Sequence, residues 1–301
     1  MVPQWGRGRR FRWRSGIGIT HVTDWLFFVE KKKFIDIRQV IATKNPGLLK
    51  WLPGFVLGYI KRIVHEEEVN TIMARHGDRK ELDFVDALIE EFGVDVEVRG
   101  AENIPLDRSV IFASNHPLGG LDGIVLMHVL GKYRKDLRFL VNDLLMNIPH
   151  FGELFVPVNK HGSSGKRGAE LIEETYASDN GILVFPAGLV SRKQEQGIQD
   201  LEWKKSFINK ARKYKKDVVP VYMEGRNSSF FYNLANLRKK IGVKANIEMF
   251  YLADEMFGQK NKKIVVHIGK PISYQYFDDS KTDKYWAEEV KKIVYNIVQD
   301  K

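Results

Sequence analysis

The chain has no cysteine among its 301 residues. That excludes disulfides, thiolate metal sites and a cysteine nucleophile together, and it fits a reducing compartment. No apolar run reaches the roughly 18–20 residues that a spanning helix needs. No secretion signal is read either. The basic start, with Arg7, Arg9, Arg10, Arg12 and Arg14 set among Trp5, Phe11 and Trp13, leads only to the short run Trp25-Leu26-Phe27-Phe28-Val29 before Glu30 and three lysines, without a cleavage site. His65 and His76 stand eleven residues apart, not the four of a metal-binding helix, so no metal site is expected. There is no internal repeat, and no zinc finger, helix-turn-helix or ribonucleoprotein motif, so nucleic acid is not an expected partner.

What remains is a folded globular composition: 44% of residues are hydrophobic and 29% charged, too apolar for a disordered chain. Lysine and arginine number 48 against 38 acidic residues, a net charge of +10. That balance favours an anionic partner such as a negatively charged membrane surface or an acidic carrier protein.

Residues 45–64 are the most apolar stretch, and Pro53-Gly54 divides it into two short helical pieces. With Trp51, Tyr59 and flanking Lys50, Lys61 and Arg62 it suits an interfacial anchor; a helix packed on the main domain is the other reading. Residues 66–92 read as helical and charged, with a solvated face. After Gly93, short β-rich runs (Val94–Val98, Val110–Ser114, Arg138–Val141, Leu154–Val158, Ile182–Phe185, Val218–Tyr222, Ile247–Tyr251, Ile264–Ile268) alternate with helical patterns near 121–131, 166–177, 201–214, 229–241 and 283–299. Such alternation predicts an α/β fold, a mixed and largely parallel central sheet flanked by helices. The expected organisation is a basic, helical membrane-interface region over 1–92 and an α/β domain over 93–301.

In open α/β sheets, sites form where strands end and helices begin. The run Val110–Ser114 feeds Asn115-His116-Pro117-Leu118-Gly119-Gly120-Leu121-Asp122, so a strand delivers a histidine into a glycine-rich loop that ends near a carboxylate. Histidine takes a proton readily at neutral pH, and a carboxylate on its other nitrogen fixes the tautomer. No G-x-S-x-G elbow supplies a nucleophile, which points to a hydroxyl brought by the substrate. Asp122 as a helix N-terminal cap is the alternative reading.

The segment His116 to Asp122 resembles the first block of the glycerolipid (lysophospholipid) acyltransferases, a histidine, four residues and then an aspartate; here five residues intervene, and the loop must bulge by one. Phe155-Val156-Pro157-Val158-Asn159-Lys160 stands in place of the second block. Phe185-Pro186-Ala187-Gly188-Leu189-Val190-Ser191-Arg192 resembles the third and Val218-Val219-Pro220-Val221-Tyr222 the fourth. The likeness is closest to the bacterial branch that includes ornithine- and glycine-lipid O-acyltransferases. The resemblance implies that His116 and Asp122 are catalytic and that Gly119 and Gly120 line an oxyanion site. It implies further that Asn159, Lys160, Gly188 and Arg192 bind the acceptor, and that no cofactor is needed beyond acyl carrier protein or coenzyme A as thioester carrier. Ala187 replaces a glutamate that in the family helps bind glycerol phosphate. The expected acceptor is therefore a lyso-amino-acid lipid, with 1-acylglycerol-3-phosphate as the alternative and an inactive lipid-binding protein as the reading from another class. The resemblance places the protein on the cytoplasmic face of the inner membrane.

Overall fold

The computed structural model describes residues 33–142, 145–158 and 165–298. The chain divides into two units, Met1–Phe34 and Ile35–Lys301; the first, with its arginines and tryptophans, lies almost wholly outside the described residues. In the second unit the helices are α1 (Ile37–Lys44), α2 (Pro46–Trp51), α3 (Gly54–Ile63), α4 (Glu66–Arg75), α5 (Glu81–Phe92), α6 (Gly120–Gly131), α7 (Gly165–Ala177), α8 (Ser206–Tyr214), α9 (Ser229–Lys240), α10 (Leu252–Phe257) and α11 (Asp283–Asn296). The strands are β1 (Asp95–Arg99), β2 (Val110–Ser114), β3 (Leu137–Val141), β4 (Phe155–Pro157), β5 (Gly181–Val184), β6 (Arg192–Gln194), β7 (Gly197–Gln199), β8 (Asp217–Met223) and β9 (Lys263–Ile268).

Among the described residues, seven strands form one sheet in the order β1-β9-β8-β2-β5-β3-β4. Every pairing is parallel except β8 with β9, so the expected mixed, largely parallel α/β sheet is what the chain builds. Its middle strand, β2, is buried at all five residues, as continuous apolar runs are when helices cover both faces. On one face Ile111 and Ala113 pack with Trp203, which precedes α8, and with Phe207, Trp286, Val290 and Val294 on the inward sides of α8 and α11. Over the other lies α6, apolar nearly all round and covered in turn by the buried face of α5 (Phe84, Val85, Leu88, Ile89 and Phe92); a helix without a polar face belongs inside.

Pro220 sits inside β8, where its missing N–H would ordinarily break a ladder. The structure places it where β9 has just ended: Val218 and Ile272 exchange hydrogen bonds at 2.9 and 2.8 Å, and Pro220 needs only to accept, from the Gly269 N–H at 2.8 Å. A side chain at Gly269 would meet Pro220 Cγ at 2.8 Å.

Four expectations change. Ile247–Tyr251 is a 3-10 turn, not a strand, because Glu248 is drawn inward between two arginines. Helix α8 starts at Ser206 rather than 201, since the backbone N–H groups of Trp203 and Lys204 are taken by Glu288 (2.8 Å) and the Pro186 carbonyl (3.0 Å). The start of α4 is not a solvated face: Glu66 is buried and accepts from the Ile37 N–H at 3.0 Å, and His65 stacks on Phe257 with centroids 4.1 Å apart. Nor does all of the basic excess reach a surface that an anionic partner could meet: Arg134, Lys216 and Arg238 are buried and bonded to internal acceptors. The division of 45–64 at Pro53 into two short helices is as the sequence implies. No helix among the described residues is long and apolar enough to cross a membrane.

Candidate active site

At the end of β2 the chain cannot continue as a strand, and Asn115 closes the ladder with its side chain. Its amide donates to the Met223 carbonyl at 3.0 Å and accepts from the Met223 N–H at 2.7 Å. The next residue, His116, is thereby held at the end of the sheet's central strand. Gly119 then turns the chain at φ +85°, a conformation that favours glycine, and a Cβ there would lie 3.2 Å from Leu252. This bend opens α6.

Nδ1 of His116 lies 2.8 Å from Oδ2 of Asp122. The same oxygen accepts the N–H groups of Leu118 (2.8 Å) and Gly119 (3.0 Å). An oxygen already receiving two N–H donors is an acceptor for the third, so Nδ1 carries the proton and Nε2 keeps its lone pair. Both readings of Asp122 are thus realised at once: it reaches back to cap the start of α6, and it orients the imidazole. Asp122 is fully buried, and its Oδ1 has no hydrogen-bond partner. Burial pushes its carboxyl above the usual range, with His116 and the two amides pulling the other way. The imidazole stacks on Phe185, centroids 4.1 Å apart and planes 11° apart, and its side chain is 17% exposed, enough for one edge to meet a substrate.

A second carboxylate, which the sequence reading did not single out, fixes the histidine's backbone. Asp200 Oδ1 accepts the His116 N–H at 3.2 Å and the Ser191 hydroxyl at 2.6 Å, while Oδ2 accepts the Trp203 indole N–H at 2.9 Å. The Ser191 N–H closes the arrangement by donating to the His116 carbonyl at 2.7 Å. Burial raises the Asp200 carboxyl, opposed by Ser191 and Trp203. No local spacing marks it in the sequence, because its partners His116, Ser191 and Tyr295 come from separate segments.

The first and third blocks therefore meet through Phe185, Ser191 and Asp200, and the fourth lies beside them as β8. Of the expected oxyanion glycines, Gly119 has its N–H committed to Asp122. Gly120 is the first residue of α6, where helix amides have no intrahelical acceptor. Gly188, at φ +66°, turns the third block; a Cβ there would come within 2.7 Å of Lys204 Nζ, so an exposed ammonium lies over this glycine. Ala187 is packed among Trp203 and Phe207. Arg192 is buried, donating to Glu248 at 2.9 Å and to the Val190 carbonyl at 2.6 Å, with its guanidinium 5.2 Å from the Phe231 centroid. As placed, it is 2% exposed and braces the fold. Asn159 and Lys160 lie outside the described residues. Among the described residues no cluster of three histidine or carboxylate groups could hold a metal ion.

Residues 39–300 match the protein family described as "Acyltransferase". A "Lyso-glycine lipid O-acyltransferase" of Bacteroides thetaiotaomicron is 49% identical over 264 residues, 87% of this chain and 97% of that protein. One of the same name from Phocaeicola vulgatus is 47% identical over 264 residues, covering 87% and 95%. Among solved structures, the chain is similar to the 1-acyl-sn-glycerophosphate (LPA) acyltransferase PlsC of Thermotoga maritima, at 18% identity and a TM-score of 0.43 over 88% of this chain and 99% of that one. The protein belongs to the acyltransferase family and is an acyl-transferring enzyme.

Proposed function

We propose that the protein moves a fatty acyl chain from a thioester, on acyl carrier protein or coenzyme A, to the hydroxyl of a lyso-amino-acid lipid, working at the cytoplasmic face of the inner membrane. The observation that carries the chemistry is the His116–Asp122 contact at 2.8 Å, which leaves Nε2 as the base. In the proposed reaction Nε2 removes the acceptor hydroxyl's proton as its oxygen attacks the thioester carbonyl. Asp122 stabilises the imidazolium that forms. Amides at the start of α6, Gly120 first, support the negative charge on the tetrahedral carbon's oxygen. Collapse expels the thiolate, which takes the proton back from Nε2. The C–S bond breaks, the ester C–O bond forms, and the histidine returns neutral.

Three observations support the acceptor and the setting. The two close relatives carry names for lyso-glycine lipid acylation. The third block offers no carboxylate at Ala187, but it holds the exposed Lys204 ammonium over Gly188, a match for an anionic head group. Trp51 and Phe55 are 88% and 79% exposed on α2 and α3, where an interfacial anchor is expected to lie.

The test supplies purified protein with an acyl thioester and, in separate reactions, a lyso-glycine lipid and lysophosphatidic acid, with lipid mass spectrometry of a strain lacking the gene alongside. Acylation of the lyso-glycine lipid and its accumulation in the deletion strain are expected. Turnover of lysophosphatidic acid alone would overturn the acceptor.

A further inference from the structure

Helix α9 has two unlike faces. Inward, Phe231, Tyr232 and Ala235 are buried, and the first two pack with Val190 of the third block. Outward, Phe230, Leu237 and Ile241, with the half-buried Leu234 between them, recur at i, i+7, i+11 and i+4, a single stripe on a helix. Phe230, Leu237 and Ile241 are 52%, 54% and 64% exposed, and Phe250 in the turn that packs on α9 is 65% exposed. Isolated exposed apolar side chains need no explanation, but a contiguous group marks a contact surface. Helix α9 has no acidic residue. Lys239, Lys240 and Lys244 lie exposed along its end, and none forms an ion pair among the described residues.

The stripe continues into the aromatic face of α3. Phe230 packs edge-on against Tyr251, with centroids 4.9 Å apart. The Tyr251 hydroxyl is 2.6 Å from that of Tyr59, and the Arg62 guanidinium lies 5.1 Å from the Tyr59 centroid. Segments nearly two hundred residues apart in the chain thus make one apolar surface edged by cations.

We propose that α9 and the turn at 247–251 form, together with α2 and α3, one docking surface for an anionic lipid bilayer, the stripe entering the acyl boundary and the lysines meeting lipid phosphates. Its use rests on the acyltransferase reading. The inner side of α9 carries Phe231 beneath Arg192, and Leu252, next to Tyr251, closes on Gly119. Docking by α9 therefore holds the catalytic loop roughly one helix diameter, about 10 Å, from the headgroups, where the hydroxyl of a membrane-held acceptor lies.

The absence of cysteine makes the test direct. Full-length protein with Leu237→Cys carries one environment-sensitive label, with Lys292→Cys on α11 as the control. On vesicles of phosphatidylglycerol and phosphatidylethanolamine, the label at 237 brightens and that at 292 does not. The double variant Leu237→Glu with Ile241→Glu lowers vesicle partition by about tenfold or more, with melting temperature and turnover of a monomeric short-chain acceptor unchanged. A label at 237 that stays dark, unaltered partition of the double variant, or a double variant that only splits a dimer of this chain overturns the proposal. Wild-type protein that acylates no lysolipid would refute the functional reading instead, and vesicle partition would still decide the docking.

Discussion

Asp200 and His116, 84 residues apart in the chain, are joined by the acceptance of the histidine's own backbone N–H at 3.2 Å. The side chain of His116 is thus aimed by one carboxylate, Asp122, while its main chain is held by another. The second also gathers Ser191 and Trp203, so strand β2, the third block and the approach to α8 are fixed to a common point. A base that must sit within hydrogen-bond reach of a substrate hydroxyl gains from such support.

Asp200→Asn is therefore expected to slow turnover although Asp200 does not touch the substrate. The new amide must turn an NH2 toward either the Ser191 hydroxyl and the His116 N–H or the Trp203 N–H, which leaves a buried donor unmet at a cost of about 1–3 kcal/mol. A lower melting temperature and a fall in kcat with little change in acceptor KM are expected, measured by thermal unfolding and steady-state kinetics. If Asp200 only stabilised the fold, kcat would be unaltered at temperatures where the variant remains folded.

His116→Ala removes the base and leaves the fold, because the side chain's other contact is a stacked ring at an accessible edge. Loss of a general base typically costs roughly 10²–10⁴-fold in rate. Asp122→Ala is expected to lose a comparable factor and to melt earlier as well, since the N–H groups of Leu118 and Gly119 then lose their acceptor. Acyl transfer followed with a labelled thioester, beside melting curves, separates the two variants; full activity in either removes the proposed base.

The strands were legible because β2, β5 and β8 are buried on both faces and read as unbroken apolar runs, and the His116 loop was legible because a strand, a histidine and glycines adjoin in the chain. The 3-10 turn at 247–251 was not. Its alternation of apolar residues with Glu248 mimics a half-buried strand, and only the distant Arg192 and Arg238 reveal that the glutamate points inward. Asp200 was hidden for the same reason: its partners at 116, 191, 203 and 295 are brought together by the fold and by no local spacing. Arg192 shows the converse, a position where motif likeness suggests a ligand contact and whose pairing with the buried Glu248 no local spacing reveals.

Glu248 is fully buried between Arg192 (2.9 Å) and Arg238 (2.6 Å). Burial pushes its carboxyl up, but the arginines outweigh that and hold it below the usual 4.5. Its ionised form is the folded-state form, so its contribution is present above pH 4.5 and lost as pH falls through the lowered value. Glu248→Gln strands two buried guanidinium groups, at a cost of roughly 3–5 kcal/mol. Denaturant unfolding across pH 3–7 is expected to show a gap between wild type and variant that is constant near neutrality and narrows only below about pH 4.5. A gap independent of pH would mean that the charge of Glu248 contributes nothing.

Lys204 carries the last expectation. Its main chain is tied to the third block through the Pro186 carbonyl, and its ammonium lies over Gly188. The neighbouring carboxylate, Glu202, is paired with Lys284 at 2.8 Å. Lys204 is thus a positioned cation on the block whose Phe185 stacks on the base, and an anionic head group is the partner that suits it. Because the lysine is exposed, solvent screening keeps the effect modest: Lys204→Met is expected to raise the acceptor KM by about three- to tenfold while the KM for the thioester stays put. Lys204→Arg restores most of the affinity. Esterifying the carboxylate of the lyso-lipid head group should weaken binding to wild type and leave the methionine variant indifferent, and equal losses in both proteins would separate Lys204 from head-group recognition.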